Sequence, residues 1–166
     1  MPATLTEQQE QWNEIVRDPA LQDLPYKVET NERGQLVLSP HKNRHSDRQA
    51  AVINLLRRYA PEGRQPPEYA LATPKGVKAP DVVWMSPARK REMEATGDPS
   101  TLAPEICVEV MSASNTEAEM EEKRALYREI GAEEVWVVDE DRHIRFFGEE
   151  ERETSEIAPE CPDQLD

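Results

Sequence analysis

Two kinds of apolar pattern alternate along the chain. Stripes at intervals of three and four specify amphipathic helices, and short runs bounded by Pro, Gly or acidic turns specify buried strands. Residues 5–16 carry a weak stripe of Trp12, Ile15 and Val16 that Pro19 closes. Residues 26–30 and 35–38 read as two strands joined through Asn31-Glu32-Arg33-Gly34, a connection with the Gly that a short hairpin loop often requires, and Pro40 ends the pair. From 44 to 60, Ala51, Val52, Leu55, Leu56 and Tyr59 recur at helical spacing until Pro61 stops the pattern. A short strand over 68–73 then leads into a turn at Gly76.

The second half is richer in runs. Residues 82–85 form a strand that Pro87 ends, 88–96 a charged helical turn, and 97–104 a loop. The run from Pro104 to Met111 is continuous enough to be a strand buried on both faces. Ser114 and Glu117 have the spacing of a capping box and Gly131 stands at a C-cap position, which predicts a helix over 115–130. With the next run, 134–139, this makes a strand–helix–strand unit whose strands are parallel and crossed right-handedly. Residues 143–147 are a final, antiparallel strand. The expected architecture is therefore mixed α/β: one domain over 1–148, followed by an acidic tail, 149–166, expected to be peripheral or disordered.

Charge narrows the picture only partly. The chain has 166 residues, with 20 Lys and Arg against 34 Asp and Glu, a formal net charge of −14 that opposes binding a polyanion over the whole surface. Much of that charge lies in the tail, whereas His41, Lys42, Arg44, His45 and Arg48, and then Arg57, Arg58 and Arg64, are clustered elsewhere. No apolar run reaches membrane-spanning length and the N-terminus is too polar for a secretory signal, so a cytoplasmic protein is expected. Cys107 and Cys161 differ in setting and do not suggest a disulfide framework.

The chemistry centres on Glu109, a carboxylate flanked by Ile106, Cys107, Val108, Val110 and Met111. Burial without a partner is costly, so it must be paired, protonated or bound to a metal. Two further residues interrupt apolar settings: Asp81 at the entry to its strand, and Lys123 on the stripe of Met120, Tyr127 and Ile130. Each has an ordinary explanation: a turn-bonding aspartate, a lysine reaching outward from the stripe's edge, a glutamate paired with an arginine. Together they make a phosphodiesterase arrangement. Two carboxylates hold a magnesium ion through oxygen and leave positions for water and phosphate, while an ammonium stabilises the phosphate charge.

The segments Val77-Lys78-Ala79-Pro80-Asp81-Val82-Val83-Trp84, Ile106-Cys107-Val108-Glu109-Val110-Met111-Ser112-Ala113-Ser114 and Glu122-Lys123-Arg124-Ala125-Leu126-Tyr127, with the run from Gly131 to Asp139, resemble the Uma family of endonucleases. That family belongs to the PD-(D/E)XK restriction-endonuclease-like superfamily. The resemblance implies a central mixed β-sheet flanked by helices and a nuclease acting on nucleic acid, DNA first, with magnesium or manganese as cofactor. It implies Asp81 and Glu109 as metal ligands, Lys123 in place of the lysine that usually stands where Met111 does, and Glu29 as an auxiliary acid. His45 and Gln49 are weaker candidates, and a homodimer is plausible for the superfamily.

Two other readings stay open. The same fold serves as a non-catalytic interaction protein if Glu109 and Lys123 are simply a buried ion pair. A thiol enzyme would use Cys107 with His45 or His143 as base.

Overall fold

The computed structural model describes residues 3–22, 24–40 and 43–166. Two members of the basic cluster, His41 and Lys42, lie outside the described residues. The first helix, α1 (Leu5–Arg17), starts at Thr4, whose hydroxyl accepts a hydrogen bond from the backbone N–H of Glu7. Next come the antiparallel strands β1 (Tyr26–Thr30) and β2 (Leu36–Pro40). Pro40 ends this pair, as the last residue of β2. It stands opposite Tyr26 at the end of the ladder, a position that an edge strand tolerates because no inner neighbour requires its missing N–H. The long helix α2 (Asn43–Tyr59) follows.

Where the sequence suggests one strand over 68–73, the chain forms a hairpin of β3 (Leu71–Thr73) and β4 (Gly76–Lys78). Gly76 has φ +102°, and a Cβ there would lie 2.3 Å from the carbonyl oxygen of Thr30. That close approach seats β4 against β1, with Val77 N–H donating to the Thr30 hydroxyl at 2.8 Å.

The rest of the chain builds the main sheet from β5 (Val82–Trp84), β6 (Ile106–Val110), β7 (Glu134–Val138), β8 (Ile144–Phe147) and β9 (Glu151–Arg152), in that spatial order. Only β6 and β7 are parallel, as the strand–helix–strand pattern requires, and the helix between them is α4 (Glu117–Glu129). Its cap is Thr116 rather than Ser114, with Glu119 N–H donating to the threonine hydroxyl. Ser112 to Asn115 instead close a turn of their own, in which Asn115 Oδ1 accepts from Ser112 N–H at 2.9 Å. The charged turn after β5 is a full helix, α3 (Pro87–Ala95).

Because side chains alternate along a strand, the sheet has two different faces. Val82, Trp84, Val108, Val110, Trp136 and Phe146 face Val52 and Leu56 of α2. Val83, Cys107 and Val135 face Tyr127 of α4 and its neighbour Ile130, with Met93 of α3 beside them. The acidic tail, expected to be peripheral or disordered, packs into the first of these cores through Ala158, Cys161 and Leu165. Its composition is polar, but these residues fall where the sheet still offers apolar surface. Glu134 fastens them, accepting from the Ser155 hydroxyl at 2.7 Å, Ile157 N–H at 2.9 Å and Glu156 N–H at 3.0 Å.

Candidate active site

Asp81 stands one residue before β5, a step beyond the Val82–Val108 pair of the ladder, which sets it opposite Glu109. It is buried, and its Oδ2 accepts from Val110 N–H at 2.7 Å. Oδ1 accepts from Lys27 Nζ at 3.0 Å and lies 3.1 Å from His45 Nε2. One turn further along α2, Gln49 donates to the Asp81 carbonyl at 3.1 Å. His45 and Gln49 thus both bear on the site, by gripping one residue of it from two sides.

Glu109 points to the α4 face, since its neighbours Val108 and Val110 take the other. Lys123 and Tyr127, one helical turn apart, meet it there. Tyr127 OH donates to Glu109 Oε1 at 2.5 Å, and Lys123 Nζ lies 3.4 Å from the same oxygen. Lys123 does not reach outward: its ammonium is also 3.3 Å from Glu29 Oε1. Glu29 enters from β1, where its Oε2 accepts from Ala79 N–H at 2.7 Å. The four residues picked out from the sequence therefore converge, from β1, the entry of β5, β6 and α4.

A fifth member is absent from that set. Lys27 Nζ contacts Asp81 at 3.0 Å, approaches Glu109 Oε2 at 3.7 Å and donates to the Ala79 carbonyl at 2.9 Å. The signal was present in β1, where Lys27 and Glu29 are two apart and so share one side of the strand.

Three carboxyl groups and two ammonium groups at this depth perturb one another. Burial raises the proton affinity of Asp81, but the Lys27 ammonium, the hydrogen bond and charge of His45 and the Val110 N–H outweigh it, so Asp81 is held far below the usual carboxylate range. Glu29 goes the same way: burial is overcome by Lys27 and Lys123 and by the Ala79 N–H. For Glu109 burial prevails. Lys123 and Lys27 oppose it, Asp81 and Glu29 add to it, and the net direction is upward. Both lysines are raised, burial being more than reversed by the surrounding carboxylates. Solvent reaches the cluster at Lys123 and His45, whose side chains are each 19% exposed, whereas Asp81 and Glu109 lie behind them.

The donor set suits a hard divalent cation, which takes carboxylate oxygens and often only one or two of them alongside water and phosphate. The cluster already seats a positive charge between Asp81 and Glu109, the Lys27 ammonium. Among the described residues no three His, Cys, Asp or Glu side chains are grouped as a metal centre. Cys107 is not placed for thiol chemistry. It is fully buried with Leu71, Met93 and Val135, and burial pushes its thiol well above the ordinary value.

Comparison with known proteins bears on the family and on the fold. A family model named Uma2 and described as "Putative restriction endonuclease" matches residues 10–164. Among solved structures, the chain is similar to one described as a "putative nuclease belonging to DUF820" from Anabaena variabilis ATCC 29413. That match has a TM-score of 0.59 and 13% identity, over 75% of this chain and 74% of the other. No curated protein matches. No helix among the described residues is long and apolar enough to cross a membrane.

Proposed function

From the premise that this chain belongs to the Uma2 family, and from its cluster of buried charges, we propose that it is a magnesium- or manganese-dependent phosphodiesterase that cleaves nucleic acid, DNA in the first instance. The observation that carries the reading is the convergence of Asp81 and Glu109 on one cationic nitrogen, with Glu29 and Lys123 alongside. Asp81 and Glu109 would hold the ion, which when bound supplies Lewis-acid stabilisation of charge on the phosphate. His45 and the Val110 N–H fix the Asp81 carboxylate, and Tyr127 fixes that of Glu109. Glu29 orients Lys123, whose partly exposed ammonium faces the side from which a phosphate arrives and stabilises its developing charge.

A net charge of −14 does not forbid this, because the cations at the cluster act at short range while the remote acidic charge is screened beyond about 10 Å at ordinary salt. The test is cleavage of plasmid DNA and of RNA with magnesium or manganese, with Glu109→Ala and Lys123→Ala as controls. Cleavage by wild type and its loss in both variants is expected. Equal activity in all three, or none in wild type with either metal, would overturn the reading.

One observation favours a second reading, a non-catalytic protein of the same fold: the lysines already balance much of the buried negative charge. It predicts a melting temperature indifferent to magnesium and manganese, whereas a metal site raises it.

A further inference from the structure

Lys27 occupies the position a catalytic cation would need. Its Nζ is 3.0 Å from Asp81 Oδ1 and 3.7 Å from Glu109 Oε2, and it also donates to the Ala79 carbonyl at 2.9 Å. An ammonium has three N–H donors and no acceptor; two of them are hydrogen-bonded, to Asp81 and to Ala79, while Glu109 at 3.7 Å is held by charge alone. We infer that Lys27 is a built-in competitor for the metal: the ammonium and a divalent cation take the carboxylates of Asp81 and Glu109 in alternation, and loading the site requires Lys27 to withdraw. This rests on the metal reading given above.

Three features support exclusion rather than coexistence. The Lys27 ammonium lies against the oxygens that a bridging ion would use, and magnesium–oxygen contacts of about 2.0–2.1 Å leave no room for a nitrogen between them. A second, like charge at that point would be repelled strongly in a buried setting. The lysine also comes from outside the sheet that holds its partners. β1 pairs only with β2 and is not part of the five-stranded sheet that carries Asp81 and Glu109. Glu29 fastens that strand through the Ala79 N–H, so the four-carbon stem of Lys27 can swing while the backbone stays in place. The metal-free cluster is then internally satisfied, and metal affinity is set by the difference between two cations.

The experiment reads metal binding, not cleavage. Manganese is titrated by calorimetry into wild type, Lys27→Met and Asp81→Asn. In parallel, wild-type lysines are reductively methylated with and without saturating manganese, and Lys27 is quantified by mass spectrometry. Lys27→Met is expected to bind manganese about tenfold more tightly than wild type or better, and Asp81→Asn to lose binding. Lys27, 8% exposed without metal, is expected to be modified several-fold faster when manganese is present. Equal or weaker binding by Lys27→Met overturns the competition and leaves the metal site standing. Unchanged methylation of wild-type Lys27 under saturating manganese overturns it too, and that arm serves if Lys27→Met does not fold. Absence of manganese binding in both wild type and Lys27→Met overturns the competition and the metal reading together.

Discussion

Glu109 and Glu134 are buried glutamates on neighbouring strands, 3% and 2% exposed, and they have opposite surroundings. Glu134 sits on the α2 face among neutral donors: the Trp136 indole N–H at 3.0 Å, the Ser155 hydroxyl and the N–H groups of Glu156 and Ile157. Two of these are backbone groups, one is on a short side chain and one on a fully buried ring. Glu109 sits on the α4 face with one neutral donor, Tyr127, two ammonium groups at 3.4 and 3.7 Å, and the like charges of Asp81 and Glu29 pressing on it. The first arrangement fastens the tail to the sheet. The second maintains a repulsion that a purely structural residue has no reason to keep. Burial of a carboxylate is therefore no sign of a site; the company it keeps is.

Glu109→Gln separates the two roles most sharply. The change keeps shape and the acceptor for Tyr127 but removes the charge proposed to hold the metal, so cleavage is expected to fall about a thousandfold, roughly 4 kcal/mol of transition-state stabilisation. The fold is expected to hold, because three buried carboxyls against two ammoniums become two against two. A fall in activity smaller than about tenfold in single-turnover assays would break the contrast. Glu134→Ala is expected to do the reverse. Four donors lose their acceptor, costing about 3 kcal/mol or more in urea unfolding while activity per folded molecule is unchanged. A loss under about 1 kcal/mol would show that water replaces the carboxylate and that Glu134 is no anchor.

The contrast was half legible in the sequence. Glu109 declared itself because it broke a continuous apolar run, and Lys123 because it broke a helical stripe. Glu134 opens its strand beside Glu133, where an acidic residue reads as the end of a loop, and nothing local says that Ser155 and Ile157 return to it. Composition misleads about the tail for the same reason: it counts the charges, while packing depends on Ala158, Cys161 and Leu165 meeting a sheet formed far earlier in the chain. Lys27 was hidden by a different ambiguity. A two-residue alternation in a five-residue strand shows which side chains share a face but not which face is buried, and that is decided by β4 and by the entry to β5. The parallel unit of β6, α4 and β7 was legible because capping, periodicity and run length all agreed.

The smallest effect expected is a crossover in acid. Asp81 has a folded pKa below its unfolded value of about 3.9, so its ionised form contributes stability that is complete above that pH and is lost as pH falls through the depressed folded value. Glu109 has a folded pKa above its unfolded value of about 4.3. The folded state binds the extra proton there, and stability falls as pH rises between the two values. Glu109→Gln is therefore expected to stabilise at neutral pH, with a gain that shrinks to nothing as pH drops below about 4.3. Asp81→Asn is expected to destabilise at neutral pH, and its deficit persists to lower pH because Asp81 keeps its charge there. Urea unfolding from pH 3 upward, read by tryptophan fluorescence, gives both curves. Two variants with the same sign at neutral pH would mean that Glu109 is as well compensated as Asp81, and the repulsion that distinguishes it from Glu134 would be gone.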